Sequence, residues 1–158
     1  FSMSYHFDYY PDLDSRELFS QVNSIAMHRN HHLASEESVN ISSLANDPFV
    51  TFSPEADRLI YSQTLKLCDE SGFSPEIVSM CQSIDAILFL VEAGEGVSLL
   101  PGTVRDLAGH NVRFVEIRNP YKYFKVLVAW NKNNVNPSIP TFVEKLASLK
   151  VIKTLEAR

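Results

Sequence analysis

The sequence predicts an α/β domain with a mainly parallel sheet and helices on both of its faces. Three observations carry this. Between residues 48 and 117, strand-like and helix-like segments alternate, as crossover-linked parallel strands do. Within them, IDAILFLVEAG at 84–94 sets Ile84, Ile87, Leu88 and Val91 at i, i+3, i+4 and i+7, the stripe of an amphipathic helix. Directly after it, VSLLP at 97–101 begins with four residues apolar enough to be covered on both faces, as a central parallel strand is.

Residues 1–7, FSMSYHF, alternate apolar and polar like a half-buried strand, and 9–14 read as a turn-rich loop. LFSQVNSIAM at 18–27 alternates again and ends in the polar HRNHH, a second strand. Residues 35–46 contain SEES and VNISSLAN, predicting a capped helical turn or two before the breaker Asp47-Pro48. FVTF at 49–52 is a short strand. It stops at Ser53-Pro54, where serine suits an N-cap and proline the first helical position.

From 55 to 70 the apolar positions 56, 59, 60, 67 and 68 approach helical spacing, and Gly72 sits where a cap glycine belongs. EIVSM at 76–80 is a strand, and Ser83 precedes the apolar helix. Gly94 closes that helix, Gly96 permits the reversal into strand 97–100, and Pro101 opens a short helix. Strands at 112–117 and 124–130 come next, with YKYF at 121–124 read as a sheet edge or hinge. A last helix at about 137–149 carries Phe142, Val143, Leu146 and Leu149 on one stripe.

Composition excludes several classes of function. The 158 residues, 45% hydrophobic and 21% charged, are those of a globular chain. A net charge of −5 advertises no basic face for phosphate backbones, so the chain is not expected to bind nucleic acid by itself. Cys68 and Cys81 lie in apolar segments without the spacing of a zinc site or a disulfide framework, which fits a reducing cytoplasm. The longest apolar run, 84–91 with Asp85 inside it, falls far short of the ~20 residues that span a bilayer, so no membrane role is expected. The chain opens in mid-strand without an initiator Met or a secretory leader, and reads as a fragment.

Several features recur in a familiar order: His32-Leu33-Ala34, Leu44 with Asp47-Pro-Phe-Val50, Leu67-Cys68 with Gly72-Phe73-Ser-Pro75, the VEAGEGVSLLP block at 91–101, and Ala129-Trp130 before Asn136-Pro137. This ordered set resembles the effector-binding domain of LysR-type bacterial transcriptional regulators and covers nearly all of residues 18–149. The resemblance implies a periplasmic-binding-protein-like type II fold, two Rossmann-like lobes joined by crossing strands with a small effector in the cleft. In those terms residues 1–28 are the end of lobe I and the first crossover. Residues 29–123 are lobe II, and 124–158 are the second crossover and the C-terminal helix of lobe I. The family's N-terminal winged helix-turn-helix and the first elements of lobe I have no counterpart here. The resemblance therefore implies a regulator truncated on its N-terminal side, with one lobe incomplete.

Open α/β sheets bind ligands outside the carboxyl ends of their strands, so the strand-to-helix corners supply the candidate contacts. Phe52 and Ser53 form the first; the Ser53 hydroxyl either receives an anionic ligand at a helix N-terminus or simply caps that helix. Gln82 and Ser83 form the second, where Ser83 is also a natural cap that leaves other first-turn amides free. Pro101, Gly102 and Thr103 form the third. Glycine there lets a ligand approach the backbone, although an ordinary tight turn is the plainer reading.

His28, His31 and His32 in HRNHH have no Cys or carboxylate at ligand spacing beside them, and no metal is expected. No nucleophile elbow, P-loop, dinucleotide fingerprint or HExxH occurs, so neither an enzyme nor a cofactor is expected. The expectation is a cytoplasmic, non-catalytic sensor that binds a small, anionic metabolite. It assembles as a homo-oligomer, dimer or tetramer, and meets DNA only through a helix-turn-helix domain absent from this chain. The rivals are a solute-binding protein of a transporter and an enzyme on the same fold.

Overall fold

The computed structural model describes residues 2–4, 11–118 and 123–148. The chain forms two compact units, residues 1–21 with 123–158, and residues 22–122. The long strand β2 (Leu13–His28), preceded in the chain by β1 (Ser2–Ser4), begins in the first unit and ends in the second. It starts five residues before the expected 18, because Asp14, Ser15, Arg16 and Glu17 are all exposed and show no apolar alternation to read.

In the larger unit β2 is followed by β3 (Ser38–Val39), β4 (Pro48–Phe52), α1 (Arg58–Glu70) and β5 (Glu76–Cys81). Next come α2 (Ile84–Glu92), β6 (Ser98–Pro101), a 3₁₀ turn (Gly102–Leu107) and β7 (Val112–Ile117). β4 pairs in parallel with β5 and is joined to β6 by the parallel bridge Phe49–Val97. β6 and β7 both run antiparallel to β2, and β3 runs parallel to β7. The order is thus β5-β4-β6-β2-β7-β3, with every strand but β2 pointing the same way. The expected mainly parallel sheet is present, with one opposed strand in its middle.

Alternation along the strands divides the core between two faces. Ile25, Met27, Phe49, Val97, Leu99, Val115 and Ile117 meet Leu67 and Cys68 of α1 on one side. Ala26, Val50, Leu100 and Val112 meet Ile87, Leu88 and Val91 of α2 on the other. Period-2 side chains facing opposite ways account for this split, and both helices are needed to cover it. Cys68 and Cys81 are free, buried, and in clusters on opposite faces, so the sheet separates the two thiols.

Two local expectations are refined. The helical turn expected within residues 35–46 is a single 3₁₀ turn (Ile41–Leu44) without a side-chain cap, preceded by the short β3, because Val39, Ile41 and Leu44 all enter the core at a spacing no α-helical face provides. Pro101 is both the last residue of β6 and the N-cap of the expected short helix, which is a 3₁₀ helix over Gly102–Leu107.

The VEAGEGVSLLP block now has a physical explanation. Gly94 has φ +81°, and with it the N–H of Gly94 reaches Val91 O at 3.1 Å while that of Glu95 reaches Leu90 O at 3.0 Å, a Schellman closure. At Gly96 a Cβ would lie 2.6 Å from Pro48 O, the carbonyl that accepts the Val97 N–H. One glycine turns the chain, and the other lets β6 lie against β4.

In the smaller unit β1 pairs antiparallel with β8 (Tyr123–Asn131), and α3 (Ser138–Ser148) completes the unit. Asn136 Oδ1 accepts the Ser138 N–H at 2.9 Å, and Ile139 and Val143 are buried. Residues 5–10, 119–122 and Leu149, for which the sequence also carries expectations, lie outside the described residues.

Candidate functional site

The carboxyl ends of β4, β5 and β6 lie along one edge of the larger unit. Phe52 pairs with Cys81 across β4 and β5, and the next residue continues the ladder, with Ser53 N–H donating to Cys81 O at 2.8 Å. From the Phe49–Val97 bridge, four residues along each parallel strand bring Ser53 and Pro101 level. Strand β4 has β5 on one side and β6 on the other, so this edge is a switch point where α/β sheets open a crevice.

Ser53 is buried, 6% exposed, and forms the centre of the first two corners. Its Oγ accepts from Nε2 of Gln82 at 2.8 Å and from the Ala56 N–H at 3.3 Å. It does not cap α1, as the sequence suggested. Its hydroxyl and carbonyl close a turn onto Ala56 and Asp57, and the helix starts four residues later than Pro54 would have placed it. The cap is Asp57, whose Oδ1 accepts from the N–H groups of both Leu59 and Ile60 at 3.0 Å. A carboxylate already occupies that helix start, so an anion has no place there.

Ser83 does cap α2, its Oγ accepting from the Ala86 N–H at 3.3 Å. In the third corner a Cβ at Gly102 would come within 3.2 Å of Val22 O and 3.4 Å of Ser24 Oγ on β2. Ser24 Oγ is buried and has no partner among the described residues. Arg105, two residues after Thr103, places its guanidinium 5.9 Å from the Phe114 ring centroid. Phe52, Ser53, Gln82, Ser83, Pro101, Gly102 and Thr103 therefore all lie at the carboxyl edge, with Ser53 and Gln82 in direct contact. Sequence reasoning missed Asp57 and Ser24; a carboxylate directly before the apolar stripe at 59–60 was the available signal for Asp57.

Away from this edge, the fold brings Asp47 to the two histidines, a neighbour that sequence spacing did not show. The ligand atoms of His31, His32 and Asp47 lie within 4.8 Å of one another. His31 Nδ1 accepts the Leu33 N–H at 3.3 Å, which leaves Nε2 as the protonated nitrogen donating to Asp47 Oδ1 at 3.1 Å. Metal-binding histidines instead donate from the nitrogen that does not hold the ion. This arrangement is that of a histidine stapling the loop after β2 to the start of β4. A cavity of about 430 Å³ also lies apart from the corners, lined by residues including Asn40, Ser42, Glu70, Gly72 and Arg118.

A mainly parallel sheet whose carboxyl edge carries hydroxyls and helix starts is the architecture of small-molecule-binding α/β domains. Residues 3–149 match the LysR substrate binding domain, and the chain belongs to that family. It is 29% identical over 119 residues to the HTH-type transcriptional regulator AlsR of Bacillus subtilis, covering 75% of this chain and 39% of that protein. It is 29% identical over 150 residues to the Hca operon transcriptional activator HcaR of Escherichia coli, covering 89% and 49%. The chain thus spans about half or less of the length of these curated relatives, which are transcriptional regulators.

The BenM effector binding domain, solved with its effector benzoate, superposes with a TM-score of 0.81 at 16% identity, covering 97% of this chain and 70% of that one. The LysR family regulator CbnR gives 0.74 at 19% identity, covering 91% and 50%. These structures support the type II periplasmic-binding-protein-like fold. Among the described residues no helix is long and apolar enough to cross a membrane.

Proposed function

We propose that this chain is the ligand-sensing part of a LysR-type transcriptional regulator and receives a small anionic metabolite at the carboxyl edge of its larger unit. The observation that carries the reading is the joined pair of corners. Ser53 and Gln82 touch at 2.8 Å beside a helix whose start is capped by a neutral serine. In family terms residues 29–123 serve as lobe II, and 1–28 with 124–158 supply the crossovers and the lobe I portion. Phe52, Pro101, Gly102 and Thr103 shape the surroundings of the ligand. No catalytic step is assigned, and none is expected of a family whose curated relatives regulate transcription. For the same reason a transporter solute-binding role is not favoured.

Ligand shifts the regulator between two states only to the extent that it binds one of them more tightly. DNA is met through a helix-turn-helix domain of the full-length protein, in the cytoplasm, by a homo-oligomer. The edge strand β5 leaves Val78 and Met80 exposed, and α2 leaves Phe89 71% exposed, apolar surface suited to a second copy. Sedimentation at micromolar concentration that found only monomer would remove the oligomer claim for this chain.

The test of the site is a thermal-shift screen against aromatic acids, dicarboxylates, amino acids and sugar phosphates, repeated with Ser53→Ala and Ser83→Ala. A ligand at 100 times its dissociation constant adds about 2.7 kcal/mol of stability. A shift that either substitution weakens supports this edge as the site. Hits to which both variants respond as the wild type does would remove it.

A further inference from the structure

A hydroxyl oxygen offers two lone pairs and one proton. At Ser53 both lone pairs are engaged, one by Gln82 Nε2 at 2.8 Å and the other by the Ala56 N–H at 3.3 Å. What remains is the O–H, in the third tetrahedral direction. Among the described residues no protein acceptor takes that proton. Gln82 is itself exposed and lies 29 residues along the chain, so its side chain gives up rotamer freedom to hold this contact.

Ser83 repeats the arrangement in part, its Oγ accepting from the Ala86 N–H. Ser53 is therefore turned into a donor by the groups that bind it, whereas Ser83 keeps one lone pair. The charges nearby set a further condition. Asp57 caps α1 and Asp85 lies in the first turn of α2, so two carboxylates border the same edge and oppose a dianion more strongly than a monoanion.

We propose that Gln82 is a positioning residue that holds Ser53 as a hydrogen-bond donor, so that this corner recognises a ligand through one carboxylate and discriminates against cationic donors. The inference rests on the reading of the carboxyl edge as the ligand site, and it reassigns Gln82 from a ligand contact to a residue acting through Ser53.

Two measurements on the 158-residue chain test it. The first needs no ligand: in NMR spectra one side-chain amide proton of Gln82 is expected to be shifted and protected from exchange, and Ser53→Ala is expected to abolish both effects. Gln82 protons that exchange as those of a free side chain would overturn the proposal. The second titrates benzoate and its cationic counterpart benzamidine into wild type and Gln82→Leu. That substitution frees a lone pair on Ser53 without adding charge.

The expected result is a preference for benzoate that falls about tenfold in Gln82→Leu, the scale of one charged hydrogen bond, at unchanged melting temperature. Equal weakening of both probes, or no change in the ratio, would mark Gln82 as merely structural. The wider metabolite screen separates this failure from failure of the site. Hits that Ser53→Ala weakens but that are all cations keep the edge as the site and overturn carboxylate recognition. Hits indifferent to both serines overturn the site, whatever the ligand-free spectra show of the Gln82 hydrogen bond.

Discussion

The two helices of the larger unit end alike and begin differently. Each closes with a Schellman pattern: Gly72 N–H to Asp69 O and Phe73 N–H to Cys68 O for α1, Gly94 N–H to Val91 O and Glu95 N–H to Leu90 O for α2. Both glycines have positive φ. At the other end, α1 is capped by a carboxylate that engages two amides, and α2 by a neutral hydroxyl that engages one. Ends are thus a matter of stopping the chain, whereas beginnings also decide what charge the helix can still attract. For the ligand proposed above, the difference favours the start of α2, which follows Gln82 and Ser83, over that of α1.

The comparison is broken most severely through the core that holds both helices. Leu67→Ala on α1 and Ile87→Ala on α2 remove side chains that are 4% and 0% exposed. Each is expected to cost about 2–5 kcal/mol in urea unfolding. Similar costs would show that the helices differ only in their starts. A cost below about 1 kcal/mol at either position would show that its face is not anchored as the packing indicates.

Cys68, on the α1 side, adds a pH-dependent effect. Burial pushes its thiol from an ordinary 9.0 up to about 11. The folded state therefore holds the proton more tightly than the unfolded state. Stability from this group is complete below about pH 9 and is lost as pH rises from about 9 to about 11. Urea midpoints at about pH 8 and about pH 10 are expected to fall more in wild type than in Cys68→Ala, and equal falls would refute the assignment.

Removing the helix caps has a smaller effect than emptying the core. Asp57→Ala is expected to destabilise by about 1 kcal/mol and Ser83→Ala by the same or less, read as melting temperature. The sharper outcome is chemical. Asp57→Ser gives α1 the neutral start of α2, at a stability change of only a few tenths of a kcal/mol, and is expected to strengthen carboxylate binding near Ser53 by reducing repulsion. Weaker binding in that variant would contradict the part assigned to the Asp57 charge.

The smallest expected effect is that of Gln82→Ala. An exposed side chain with one hydrogen bond is expected to alter stability by no more than about 0.5 kcal/mol. A larger loss would mean that the Ser53 contact holds the two strand ends together, which equilibrium unfolding would reveal.

Much of this was present in the chain itself. The stripe Ile84, Ile87, Leu88 and Val91, the glycines at 72, 94 and 96, and the apolar run at 97–100 specify α2, two helix ends and β6 through local physics: side-chain period, positive φ and close backbone approach. The family was recognisable from the order of such features. Other elements depend on pairing across long separations. β2 runs opposite to β6 and β7, and its start passes through the exposed residues 14–17, which carry no apolar signal.

The start of α1 shows the same division at the level of one residue. Ser53-Pro54 is a sound helix opening by local preference, yet the Ser53 hydroxyl is taken by Ala56 and by Gln82, 29 residues away, and Asp57 becomes the cap. Asp47 likewise reaches His31 only through the fold. Residue types and periods determined which elements exist and where the loops carrying hydroxyls fall. Only the tertiary structure decided which hydroxyls are engaged and which residue caps α1, because hydrogen-bond partners distant in sequence are chosen by strand register and not by local spacing.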